Sequence, residues 1–346
     1  QINHGTEVTF EVWTRNPLTS GMKQLVIGLK SFKEGIEAAQ KEADEHYAAL
    51  SRELDLPVEK IKAVLAQFKE STDLSRQAKV AQVEGRFADS ERLFRQAAEQ
   101  KLNQLNPDFL AVAEDERGEG ESAMFLGNHA KAGEVLARAV RRIEGLPRGR
   151  ETAPKLWADT QYCIGRNSVS RIFTSLSTPE RAAHAVLAQE ALEKSLQVYS
   201  WEAFPAERAV THAILGMVLT EQAKLSTGAE QTWLFGKAVQ AYQQALKEIT
   251  REAAPEVWAN TQDSLGITLF AHGRLATGAE QTRLLGEAVQ AYQHALEVRN
   301  RDAFPTIWAS TQYNLGIVLS DQAKLATGAE QMRLLDKAFQ AYQQVL

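Results

Sequence analysis

A single cysteine, Cys163, stands in the 346 residues. It rules out an internal disulfide framework and suits a reducing, cytoplasmic setting. The seven histidines are scattered, and neither a His-Glu-x-x-His pattern nor paired cysteines occur, so the sequence gives no metal site and implies no cofactor. Glycine-rich phosphate loops and nucleophile elbows are missing as well. Long apolar runs are absent: Leu25-Val26-Ile27-Gly28-Leu29 is far too short to span a bilayer, and no signal peptide is visible. Charge of one sign is also lacking, since the net charge is only −5. That balance gives no reason to expect nucleic acid or an anionic membrane surface as a partner.

What the chain does have is repetition. Pro255-Glu256-Val257-Trp258-Ala259 returns as Pro305-Thr306-Ile307-Trp308-Ala309, Leu265-Gly266 as Leu315-Gly316, and Ala291-Tyr292 as Ala341-Tyr342. An earlier copy carries Pro205, Leu215-Gly216 and Ala241-Tyr242. The spacing is 50 residues throughout, and 255–296 matches 305–346 at 25 of 42 positions. A fixed period in this range marks a stack of supersecondary units, each too small to bury its apolar face alone. Such stacks make long recognition surfaces, and they grow past the size one core can organise.

Ahead of the repeats the pattern differs. In residues 1–18, Val8, Phe10 and Val12 alternate with Thr9 and Glu11, which predicts one short strand ending at Asn16-Pro17. Met22, Leu25, Leu29, Phe32, Ile36, Ala39 and Ala43 step by three and four, predicting a long helix over 20–54. Asp55 and Pro57 then open a second helix with Val58, Ile61, Val64, Leu65 and Phe68 as its stripe. Residues 19–73 thus read as a helical hairpin, and 74–346 as the repeat array. Starting at Gln1 and stopping inside a repeat, the sequence reads as a piece of a longer protein.

Small-large-small triplets recur in the array at Ser90, Phe94, Ala97; Ala132, Leu136, Ala139; Ala238, Tyr242, Ala245; and Ala288, Tyr292, Ala295. Leu-Gly pairs precede the later ones, with Ile164-Gly165 in an earlier unit. These features resemble the second-helix and first-helix signatures of the tetratricopeptide repeat (TPR). The resemblance covers about 74–346 and implies an all-α fold, an α-solenoid in which helix pairs wind into a right-handed superhelix. The unit departs from the usual length of about 34 by added residues between its helices and before its first helix. Thr277-Gly278-Ala279-Glu280, repeated at 227–230 and 327–330, has the Thr-x-x-Glu spacing of a capping box. It predicts a long second helix over about 278–301, roughly 35 Å at 1.5 Å per residue. Ser177-Thr178-Pro179-Glu180 takes the same place earlier.

By that resemblance the first helices line a concave groove. Positions six and three before the glycine, then one and four after, face it. In this chain these are Asp159, Tyr162, Arg166 and Val169; Val210, Ala213, Met217 and Thr220; Asn260, Asp263, Ile267 and Phe270; and Ser310, Tyr313, Ile317 and Ser320. Some relatives grip a peptide's C-terminal carboxylate with lysine and asparagine there. Here the lysines are missing, and Ile267 and Ile317 stand where the asparagine would. The implied partner is a protein or peptide docked through apolar anchors.

The glycines and tyrosines of the signature read as packing, and so do Trp258, Trp308 and Cys163. The basic run Arg138, Arg141, Arg142, Arg148, Arg150 and Lys155 is interrupted by Glu134, Glu144 and Glu151, and reads as a solvated face. The expected role is a non-catalytic protein–protein scaffold, the sensor or regulatory arm of a larger bacterial signalling or defence protein. Two rivals stand beside it. One is the helical part of an enzyme, such as a caspase-like or trypsin-like protease or a nucleotide hydrolase, with its active domain elsewhere. The other is a self-assembling array joined through the uncapped stripe Leu334, Leu335, Ala338, Tyr342 and Leu346.

Overall fold

A computed structural model describes residues 8–12, 23–27, 59, 71–104, 107–175 and 177–345. Val8–Val12 is a strand, β1, and it pairs antiparallel with β2, Lys23–Ile27, with Val8 opposite Ile27. A strand therefore occupies 23–27, where the three-and-four stepping predicts helix. Leu25, Val26 and Ile27 satisfy either pattern, and β-branched residues favour the extended one. Of the rest of the expected helical hairpin over 19–73, only residues 59 and 71–73 are described; the remainder lies outside the described residues.

From Leu74 onward the described chain is helical. The helices are α1 (Leu74–Val83), α2 (Phe87–Leu102), α3 (Phe109–Phe125), α4 (His129–Glu144), the short α5 (Gly149–Thr152) and α6 (Pro154–Thr174). They continue as α7 (Thr178–Leu196), α8 (Pro205–Leu225), α9 (Gly228–Glu248), α10 (Pro255–Gly273), α11 (Gly278–Val298), α12 (Pro305–Leu325) and α13 (Gly328–Val345). The protein is all-α in its body, a tandem array of helix pairs. It divides into two compact units, one holding 23–174 with 1–13 and 194–198, the other 199–346 with 14–22 and 175–193.

Within each unit every pair packs on itself and on the next. In the first, α3 packs on α2 and α4, and the first helices α1, α3 and α6 also meet side by side. In the second, α8 pairs with α9, α10 with α11 and α12 with α13, while α8, α10 and α12 adjoin one another. In the three pairs of the second unit a glycine allows this approach. A methyl on Gly216, Gly266 or Gly316 would lie 2.9, 3.0 or 2.6 Å from the ring of Tyr242, Tyr292 or Tyr342. Gly120 meets Leu136 in the same way, which identifies α3 as a first helix even though its sequence lacks the Leu-Gly pair.

From α8 to α13 helix starts are set by two devices. Pro205, Pro255 and Pro305 open the first helices, where proline's fixed φ helps and its missing N–H costs nothing. The second helices open on Gly228, Gly278 and Gly328 at φ of 65°, 62° and 60°, a region that L side chains avoid. The expected capping box does not form. Thr227 and Thr277 occupy the N-cap with extended backbone, but their hydroxyls make no cap hydrogen bond, and Glu280 and Glu330 pair with Arg283 and Arg333 instead. A left-handed glycine directly after the threonine turns the backbone into the helix, so the side-chain cap is replaced. Ser177, at the earlier box, does accept from the Glu180 N–H at 3.4 Å, and outside the boxes Asp73, Asp108 and Asn128 cap α1, α3 and α4 through their side chains.

Candidate functional site

Glycine register places the face-directed positions of α3 at Glu114, Arg117, Glu121 and Met124, a set the sequence alone does not reveal. With Lys79 and Gln82 of α1 and Asp159, Tyr162 and Arg166 of α6, they make the first-helix face of the first unit strongly polar. Its charges already have partners. Lys79 Nζ donates to Glu114 at 2.9 Å and Lys155 Nζ to Asp159 at 2.9 Å. Arg117 Nη1 donates to Glu121 Oε1 at 2.8 Å, and the same oxygen accepts the Cys163 thiol at 3.1 Å. Gln82 Nε2 reaches the other Glu121 oxygen at 3.3 Å. Arg117 is only 4% exposed, and its Nε has no hydrogen-bond partner. Arg166 lies over the rings of Tyr162 and Phe125 at 5.7 and 6.0 Å. Burial pushes the Tyr162 hydroxyl up to about 12 and the Cys163 thiol well above its ordinary value, so both stay protonated near neutrality.

The other side of α3 is charged too. Glu116, buried, accepts from Arg138 Nε at 2.8 Å and from Arg142 Nε and Nη2 at 2.9 and 2.8 Å. Glu119 pairs with Lys131 at 3.2 Å, and Asp115 with Lys101 at 2.6 Å. The basic run is thus only partly a solvated face, because two of its arginines clamp a buried carboxylate. A buried charge is tolerable only when paired and hydrogen-bonded in this way.

In the second unit the face is of another kind. Met217, Ile267 and Ile317 hold one register on α8, α10 and α12, each half-buried. Met217, Ile267 and Phe270 pack against the apolar core around Leu269, Leu284, Leu285 and Tyr292. Arg274 lies 5.8 Å over the Phe270 ring. Thr220 and Thr268, between neighbouring first helices, share a hydrogen bond of 2.9 Å.

Asn260 and Asp263 do not stand free as anchors. Arg299, 6% exposed, leaves the end of α11 and donates to Asn260 Oδ1 and Thr311 Oγ1, both at 2.7 Å. Its Nη1 also lies 3.1 Å from Asp263, which accepts the Thr311 hydroxyl at 2.9 Å. α11 ends at Val298, three residues short of the expected end, at the same register as α9, which ends at Glu248, and Arg299 follows it as the C-cap. Ser310 and Tyr313, the counterparts of Asn260 and Asp263 one period on, are exposed, and the Tyr313 ring sits 5.8 Å from that of Tyr342.

The expected packing residues lie where packing needs them. Trp258 is half-buried, edge-on to the His294 ring at 5.8 Å, and Trp308 lies under Arg301 at 5.7 Å. Among the described residues no group of three metal-ligating side chains converges, and no helix is long and apolar enough to cross a membrane.

These faces and their tandem pairs define a helical repeat protein. No family model matches the chain, and no curated protein matches it. Among solved structures, BtubC (BKLC) from P. vanneervenii is similar at 16% identity and a TM-score of 0.44, over 80% of this chain and 90% of that one. The apo form of the quorum sensor NprR from B. thuringiensis is similar at 10% identity and 0.33, over 91% and 99%. A circular tandem repeat protein with novel repeat topology follows at 16% and 0.30, over 90% and 76%.

Proposed function

We propose that this chain is a long-unit TPR-type scaffold. Its second unit docks a helix or extended segment of a partner protein on the first-helix face. The observation that carries this reading is the row Met217, Ile267 and Ile317, with Phe270 beside it, half-exposed and apolar at one register on adjoining helices. Covering apolar surface yields about 25 cal/mol per Å². The first unit's charges would have to abandon partners they already hold, so the apolar row is the stronger anchor. The scaffold is non-catalytic: Cys163, the one thiol, is held protonated and donates to a carboxylate that an arginine also claims. Its place as the sensor or regulatory arm of a larger bacterial protein rests on the TPR resemblance.

A random peptide library selected on the immobilised chain tests the docking face. Selected peptides should bind Ile267→Lys and Phe270→Ser variants at least about tenfold more weakly, a loss of about 1.4 kcal/mol. Peptides that bind these folded variants as tightly as the parent would move the site elsewhere. A hydrolase turnover that survives repurification and vanishes on a point substitution would overturn the non-catalytic reading.

A further inference from the structure

Eight residues past the packing glycine, the first helices of the second unit repeat a cation. Lys224, Arg274 and Lys324 stand there, 50 residues apart and all exposed. Seven residues separate them from Met217, Ile267 and Ile317, two turns along the same helical face. They lie beyond the four groove positions of each first helix, in the stretch that the long unit adds. A helix C-terminus favours a cation whatever its neighbours, which accounts for the row. What surrounds the cation is not repeated. Lys224 pairs with Glu221 at 2.6 Å and Lys324 with Asp321 at 2.5 Å, each three residues back on its own helix. In α10 the place of that carboxylate is taken by Ala271, and the place of Thr220 and Ser320 by Phe270. Arg274 has no carboxylate partner among the described residues, and its guanidinium lies 5.8 Å over the Phe270 ring. Glu280, in the first turn of α11, is no substitute, because Arg283 holds its two oxygens at 2.6 and 2.8 Å.

Resting on the docking face proposed above, we infer that the docked partner segment carries one aspartate or glutamate, and that Arg274 receives it beside Ile267 and Phe270. Helical side chains lean toward the N-terminus of their helix, so Arg274 points back over Phe270 to the apolar row. A guanidinium stacked on a ring keeps its planar edge free to fork a carboxylate, which a lysine cannot do. The chain places arginine at the one step of the row where the ring stands. Apolar groups seated on Ile267 and Phe270 exclude water from the pair and strengthen it. On either side, Glu221 and Asp321 are already held by lysines and repel a second carboxylate, so the face selects a single acid at its centre. Nucleic acid is poorly served. With Lys224 and Lys324 paired, one free cation is left in the row, where a phosphate backbone needs several.

The test uses the whole chain and the random peptide library, selected in parallel on the parent and on Arg274→Glu. Parent-selected peptides should share an acidic residue at a fixed spacing from their apolar residues. Those selected on Arg274→Glu should carry lysine or arginine in its place. Read by fluorescence anisotropy, exchange of that acid for lysine should weaken binding to the parent roughly tenfold, and Arg274→Glu should restore it. Arg274→Gln should lose the preference for the acid without gaining one for lysine. Circular dichroism and the thermal midpoint should stay unchanged in both variants, since the side chain is exposed. Peptides that need Ile267 and Phe270 yet bind Arg274→Glu as tightly as the parent would overturn the inference and leave the docking face standing. Peptides that bind Ile267→Lys undiminished, or a selection that yields none, would defeat both. A single-stranded thymidine oligonucleotide that binds the parent at physiological salt, and is lost on Arg274→Glu, would assign the position to nucleic acid and equally overturn the inference.

Discussion

A methyl group placed on Gly266 would lie 3.0 Å from the Tyr292 ring, whereas one on Gly286 would have 3.6 Å to the movable end of Gln322. Both glycines are in helix interiors, so the contrast isolates packing from propensity. Gly266→Ala should cost about 1–3 kcal/mol through overpacking. Gly286→Ala should raise stability by about 0.5–1 kcal/mol, the usual gain of alanine over glycine inside a helix. Urea denaturation of the two variants separates them, and equal effects would show that the tyrosine seat is slack. His212 offers a second test at this scale. Neither ring nitrogen has a hydrogen-bond partner, and burial, assisted by Arg208, pulls its pKa to about 4. An unfolded histidine takes up its proton near 6.5, so between that value and about 4 the unfolded chain binds more protons than the folded one. Stability should therefore fall as the pH drops from 7 to 5, by on the order of 1 kcal/mol from this residue. Gln262 and Gln312 hold the same register. His212→Gln should accordingly flatten the pH dependence of the urea midpoint, and an unchanged slope would mean His212 is solvated in solution.

Junctions between helix pairs show how a buried position changes character without breaking the frame. Residues 199, 249 and 299, one period apart, are Tyr, Ile and Arg, and all are buried. Ile249 coincides with Val210 and Ala213 on the preceding first helix, whereas Arg299 coincides with Asn260 and Asp263. The polar pair has the arginine as its partner, and an apolar side chain there would take the cation from Asp263, leaving it the Thr311 hydroxyl, and remove the bond to Asn260. Arg299→Ile alone should cost about 3–5 kcal/mol, as breaking a buried ion pair does. Adding Asn260→Val and Asp263→Ala, which recreates the earlier junction, should restore most of that loss. Additive damage in the triple variant would sink the idea. This element was hidden in the sequence, because an arginine just past a helix end reads as solvent-facing. The helix pairs were legible, since the glycines and tyrosines recur at 50 with nothing to compete. Nothing in the sequence marks α3 as a groove-lining first helix. Its run from Glu114 to Glu121 has the composition of an exposed surface, and only the partners on α1, α2, α4 and α6 make its burial tolerable. The capping motif misled for a local reason: Thr-x-x-Glu has the right spacing, but Gly278 supplies the turn that the threonine hydroxyl would have supported.

At the scale of the whole molecule, an array of pairs has no single core, so protection should depend on neighbours more than on local sequence. α11 and α13 provide the comparison within one chain. They share most of their residues, including the Leu-Leu step and the Ala-Tyr step that seat them on α10 and α12. What separates them is cover: α11 lies between α10 and α12, and α13 has α12 alone among the described helices. Local propensity predicts similar amide exchange for the two, whereas nearest-neighbour coupling predicts that α13 opens first. Native-state hydrogen exchange read by mass spectrometry should find α13 amides at least about tenfold less protected than those of α11, about 1.4 kcal/mol. Equal protection of the two helices in the free protein would mean that something already covers Met332, Leu335 and Phe339 in solution.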